Sequence, residues 1–196
     1  MKKLLLLLLF LSVFGLKAQL SPFSFGFLFT TNATSFNAKP GIGTISPQPA
    51  FGGSAFARLK ILILYAELEA GYSSHKVNSS QTLSGSKFEY NYTLDGLDIS
   101  GILGWRVIGI GPLGNFRIFA GYNFNNFTKI TVESNGSVVT DPAINTGNSS
   151  FLVGTGVDLW RIVFNFKYNV GLTDLSSLNN QELKANSASI SVGFRF

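Results

Sequence analysis

The amino-acid sequence predicts an all-β chain, an eight-stranded antiparallel up-and-down transmembrane β-barrel, from three observations. Apolar side chains recur at every second position through eight segments, which is the period of a strand rather than a helix. The face opposite them is made of Gly, Ser, Asn, Thr and charged residues, so a soluble sandwich would have no second apolar sheet to pack. Short and long connections alternate, as a meander requires and a Greek key does not. With the apolar face outward, lipid becomes its partner, and closure leaves no strand edge unpaired.

The chain of 196 residues opens MKKLLLLLLFLSVFGLKAQL. Lys2 and Lys3, an apolar run from Leu4 to Leu16 and the small residue Ala18 read as a signal peptide over residues 1–18, with one domain over 19–196. That run, roughly 13 residues, is short of the ~20 a spanning helix needs. Removing Lys2, Lys3 and Lys17 takes Lys plus Arg from 15 to 12 against 10 acidic residues, so the net charge falls from +5 to +2. No basic cluster remains after cleavage, which excludes nucleic acid as a partner.

The first strand, near 22–31, turns Phe23, Phe25, Phe27 and Phe29 to lipid and Ser24, Gly26 and Leu28 inward. Strands near 50–60 and 62–73 carry Arg58, Glu67 and Glu69 on the inward parity. The fourth, near 87–107, is apolar on even numbers up to Leu94 and on odd numbers from Leu97, a switch read as a β-bulge at Asp95-Gly96. The fifth (115–127), sixth (149–160) and seventh (161–173) place Arg117, Asp158 and Lys167 inside, and the seventh presents Phe164 and Phe166 to lipid. The eighth, 187–196, sets Ile190, Val192, Phe194 and Phe196 against Arg195, and closure must lay it beside the first. Short connections fall near 60–62, 108–115 and 160–162, and long ones cover about 32–49, 74–86, 128–148 and 174–186. Tyr72, Tyr90, Tyr92, Trp105, Tyr122, Trp160 and Tyr168 sit near strand ends, as interfacial aromatic girdles do.

An eight-stranded lumen is just wide enough for its own side chains. Arg58, Glu67, Glu69, Arg117, Asp158, Lys167 and Arg195 would therefore be desolvated there and must pair. The residues predict a plug of ion pairs and hydrogen bonds, with Arg58 and Arg117 answering Glu67 and Glu69; the competing reading is the filter of a narrow channel. No cofactor or metal site is expected, because cysteine is absent and His75 is the only histidine. His75, beside Ser73 and Ser74, reads as a solvated loop residue, with a lipid hydrolase as the rival reading. GIGPLG, Gly109 to Gly114, matches a dinucleotide fingerprint by letter only, since Pro112 and the following NFRIFAGY make a turn into a strand.

Three stretches carry a family likeness: the leader ending Lys17-Ala18-Gln19, the segment LYAELEAGYSSH (Leu64 to His75), and the alternation that closes on Phe196. Through them the chain resembles the small porin-like outer-membrane β-barrel proteins of Bacteroidetes-type bacteria and, in size, the eight-stranded barrels of enteric bacteria. The resemblance implies a location in the bacterial outer membrane, contact with outer-membrane lipid, and recognition of Phe196 by the barrel-assembly machinery. It implies no single activity. The expected function is non-enzymatic, structural or exercised through four extracellular loops on an unknown partner, with a narrow porin-like channel as the alternative.

Overall fold

A computed structural model describes residues 22–38, 44–83, 86–109, 114–134, 137–139, 146–173 and 183–196. The expected signal peptide, residues 1–18, lies outside the described residues. The long strands are β1 (Phe23–Ala38), β2 (Thr44–Ile61), β3 (Leu64–Leu83), β4 (Ser86–Gly109) and β5 (Gly114–Ser134). After the three-residue β6 (Ser137–Val139) come β7 (Gly147–Leu159), β8 (Ile162–Gly171) and β9 (Leu183–Arg195). Neighbours pair antiparallel around the ring, β6 adds only to the tip of β5, and β1 pairs with β9. The result is a closed eight-stranded barrel.

Closure follows the register that the alternation demands. Phe27 lies opposite Phe194, Phe29 opposite Val192 and Thr31 opposite Ile190. The Phe196 N–H donates to the Phe25 carbonyl at 2.8 Å. The Phe196 ring stacks on Phe25 at 5.4 Å and meets Phe27 and Phe194 edge-on. Along β1 the two faces differ sharply: Phe29 is 75 % exposed and Leu28 2 %. Phe23, Phe25, Phe27, Phe164, Phe166 and Phe194 all join Phe29 on the outer surface. Such a continuous apolar belt is far larger than a water-facing surface sustains.

Interior packing rests on small residues set opposite large ones. Tyr65 pairs with Gly104, Gly104 with Phe119, and Phe119 with Gly154, so two inward rings lie flat over glycines in one row across four strands. Gly26 opposite Phe56 repeats the device. A Cβ added at Gly104 would enter the Tyr65 ring, whereas one added at Gly101, on the lipid face, meets nothing within 4 Å. Gly104→Ala is therefore expected to destabilise the refolded barrel by about 1–3 kcal/mol through overpacking. Gly101→Ala should stay within about 0.5 kcal/mol of the parent. Urea unfolding in detergent separates them, and equal midpoints for the two variants would refute the packing account.

At the end where both described chain termini lie, two tight turns are closed by residues with left-handed backbone, Leu62 (φ 57°) and Trp160 (φ 53°). This conformation costs a side-chain-bearing residue roughly 1–2 kcal/mol. Part of that cost is offset at Trp160, whose ring lies 5.1 Å from the Arg161 guanidinium.

Four expectations need correction. Most strands outrun their expected spans, β3 reaching 20 residues against the expected 62–73, and take over much of the expected loops: β3 and β4 stay paired to Leu83 and Ser86. Beyond the apolar belt the outward face no longer meets lipid, so alternation fades from the sequence while the backbone ladder continues. Second, the bulge expected at Asp95-Gly96 falls there in the β4–β5 pairing but on the opposite strand: β4 pairs with β3 without a slip, and the extra residue is Thr128, in β5. The switch in β4 is a change of environment: Leu94 points inward into an apolar cluster, and Leu97 points outward to the belt. Third, Tyr92 packs against that inner cluster, and Tyr90 shares its parity, so neither belongs to a girdle. Tyr72, Trp105, Tyr122, Trp160 and Tyr168 are outward. Fourth, His75 is no solvated loop residue, as its contacts show below. Gly109 and Gly114 end and begin an antiparallel pair; residues 110–113 between them lie outside the described residues.

Candidate functional site

Among the described residues, chemistry-bearing side chains converge in the lumen, which is layered along the barrel axis. Inward parity on β2, β3, β5, β7, β8 and β9 brings Arg58, Glu67, Glu69, Arg117, Asp158, Lys167 and Arg195 to the interior. Nearest the short turns, Asp158 is the hub. Its Oδ2 accepts from Arg58 Nη1 and Arg195 Nη1, each at 2.9 Å, and its Oδ1 lies 2.8 Å from Arg117 Nη2. Arg58 Nε donates to Glu67 Oε2 at 2.5 Å, and Arg195 Nη2 donates to the Trp160 carbonyl at 2.6 Å. Arg117 does not reach either glutamate; it donates instead to Tyr65 Oη (2.9 Å) and Asn165 Oδ1 (2.8 Å).

Aromatic faces complete this layer. The Arg58 guanidinium sits over Phe56 at 5.2 Å and Tyr65 at 5.0 Å, and that of Arg117 over Tyr65 at 5.4 Å and Phe119 at 5.9 Å. Ring faces carry negative charge density, so they help hold desolvated cations. Tyr65, Phe56 and Phe119 were not singled out in the sequence. The available signal was the run of glycines at inward positions of neighbouring strands, which make room for large partners.

One step further in, Lys167 pairs with Glu69, whose other oxygen accepts from Ser54 at 2.7 Å. Above them lies a polar cavity of about 70 Å³, bordered by Ser73, Asp98, Ser100, Asn123 and Asn125. Ser100 donates to Asn123 at 2.7 Å and Asn123 to Asn125 at 2.8 Å, and Asn125 reaches Asp98. A space of that size and polarity suits several bridging waters.

His75 faces this interior from the far side. Its Nδ1 lies 2.8 Å from Thr34 Oγ1 and its Nε2 3.0 Å from Ser73 Oγ, and its ring meets Phe127 edge-on at 5.7 Å. Ser73 is thus a hydrogen-bond neighbour, while Ser74 occupies the opposite parity. Beyond His75, Leu94, Phe127 and Ala185 close together, with Tyr92 and Ile130 against them, as an apolar layer inside the barrel. Among the described residues, no three His, Cys, Asp or Glu side chains form a metal-binding group.

With this geometry in place, comparison with known proteins identifies the kin. The family model described as "Outer membrane protein beta-barrel domain" matches residues 6–196. No curated protein matches the chain. Among solved structures, Neisserial surface protein A superposes with a TM-score of 0.52 at 15 % identity, over 89 % of this chain and 96 % of that one. The outer membrane protein OprG from Pseudomonas aeruginosa does so with 0.52 at 14 % identity, over 89 % and 95 %. At such identities the likeness concerns the fold. Taken with the family match, the closed antiparallel barrel and its apolar belt give the chain its place: it belongs to the outer-membrane β-barrel domain family, in the outer membrane of a bacterium.

Proposed function

We propose that this is a non-enzymatic outer-membrane barrel with a plugged lumen, acting structurally or through the chain segments at its long-loop end. One observation supports the reading: two clusters of different chemistry lie at different heights in the lumen. The hub of Asp158 with its three arginines and Glu67 stands at the short-turn end, and the Leu94–Phe127–Ala185 cluster at the other. An ion would have to displace charged partners at one end and enter a dry apolar layer at the other.

The reading includes export by the leader (residues 1–18) of a mature domain over 19–196. It includes assembly through Phe196, supported by that residue's place in the β1–β9 seam. The short-turn end then faces the periplasm and the long-loop end the exterior, where adhesion or another surface partner would be met. The Lys17-Ala18-Gln19 and Leu64-to-His75 stretches support a Bacteroidetes-type source.

The polar cavity of about 70 Å³ between the two layers favours a second reading, a narrow channel whose layers open. Planar-bilayer recording decides between them. Refolded protein is expected to give no discrete ohmic steps, and steps of reproducible conductance would replace the plug with the channel. For a lipid hydrolase, His75 is badly placed: it faces the lumen between Thr34 and Ser73, with the barrel wall between it and any lipid.

A further inference from the structure

Side chains at the short-turn mouth of the lumen carry more positive charge than their acids neutralise. Arg58, Lys60, Arg106, Arg117 and Arg195 gather there around Asp158 and Glu67, a formal excess of +3 from five cations and two acids. Lys167 adds nothing to this balance, because it has Glu69 to itself further in. The acid at the hub is shared: Asp158 is the ion-pair partner of three guanidinium groups, and its Oδ1, though 2.8 Å from Arg117 Nη2, accepts no well-aligned hydrogen bond.

Four of those cations, Arg58, Lys60, Arg106 and Arg117, line one small cavity together with Asn115 and Asp158. Two donors on its walls are left over. Arg58 Nη2 and Arg117 Nε have no hydrogen-bond partner among the described residues, although their side chains are only 1 % and 2 % exposed. Buried N–H groups on charged side chains call for acceptors. A water molecule would satisfy the N–H groups and leave the charge uncompensated. An anion does both, and a guanidinium, weakly hydrated and flat, is well suited to hold one out of bulk water. Asn115 Oδ1 is likewise buried without a partner; turning its amide end for end directs a donor to the same space.

We propose that this cavity is a binding site for one monatomic anion of the halide class, coordinated by Arg58 Nη2 and Arg117 Nε and held by the field of Lys60 and Arg106. Its free space of about 10 Å³ is on the order of that needed by one water molecule, which suits a single small ion. The buried Tyr65 ring closes one side of the cavity. The bound ion supplies one of the three negative charges that Asp158 and Glu67 leave unmet, whether or not the lumen conducts.

The test uses refolded protein covering residues 19–196. Its thermal unfolding, read as the shift between folded and unfolded bands on a gel, is followed at constant ionic strength while sodium gluconate is replaced by sodium bromide. The expected result is a saturable rise in the midpoint with bromide, and a bromine anomalous peak touching Arg58 and Arg117 in crystals grown with that salt. Lys60→Gln together with Arg106→Gln removes two charges and leaves the Asp158 hub intact. That double variant should still fold and should need at least fivefold more bromide for half the effect. The same midpoint in both salts, density at the site that scatters as water, or an unchanged half-saturating concentration in the double variant would each overturn the proposal.

Discussion

Asp158→Asn is expected to lower the unfolding free energy of the refolded barrel by about 3–5 kcal/mol, the range for stripping one partner from a buried charge cluster. The substitution preserves side-chain volume, so no cavity contributes; what changes is that Arg58, Arg117 and Arg195 lose the carboxylate all three share. Only Arg58 keeps an acid, Glu67. Arg195→Met is the control at the rim. Arg195 is less deeply buried than the other two arginines, and its departure leaves Asp158 with two partners, so a loss of about 1 kcal/mol is expected, in the range for exposed pairs. Urea unfolding in lipid vesicles, followed by the fluorescence of Trp105 and Trp160, measures both. Similar losses for the two variants would show that Asp158 is no hub.

The interior charges could be read from the sequence because each stands out on a parity rich in Gly, Ser and Asn, and the lipid-facing phenylalanines because they alternate without interruption. Partner choice could not be read this way. Arg117 and Glu69 are both inward, but partners also depend on how strands meet across the lumen. That arrangement gives Arg117 to Asp158 and leaves Glu69 to Lys167, 98 positions away in the chain.

The apolar layer at the long-loop end escaped notice for a related reason. Leu94 and Phe127 lie where the barrel has left the belt, so a rule that sends hydrophobic side chains outward fails there and interior filling takes over. The same holds for His75: β3 continues through position 75, and its parity carries the ring inside. In each case the local pattern was present, but its meaning depended on height along the barrel, which no short window of sequence reports.

The Lys167–Glu69 pair allows the desolvation argument to be tested with its sign reversed. Lys167→Met alone should cost about 3–5 kcal/mol, because Glu69 then stays buried with only the Ser54 hydroxyl against its charge. Glu69→Gln alone should be harmful for the mirror-image reason, leaving an ammonium without its carboxylate. Combining the two removes both charges together, and the double variant is expected within about 1 kcal/mol of the parent, since a neutral replacement for a buried ion pair is often no less stable. The coupling energy from the four proteins should therefore be favourable to the double variant and at least about 2 kcal/mol. Additive losses would mean that water already screens the pair, and with it the narrow layer assigned to Lys167 and Glu69. If the coupling is as large as expected, that layer is dry, and the double variant should stay as silent in a planar bilayer as the parent. On the proposed plugged reading, the Asp158 hub and the Leu94–Phe127–Ala185 layer would each still close the lumen.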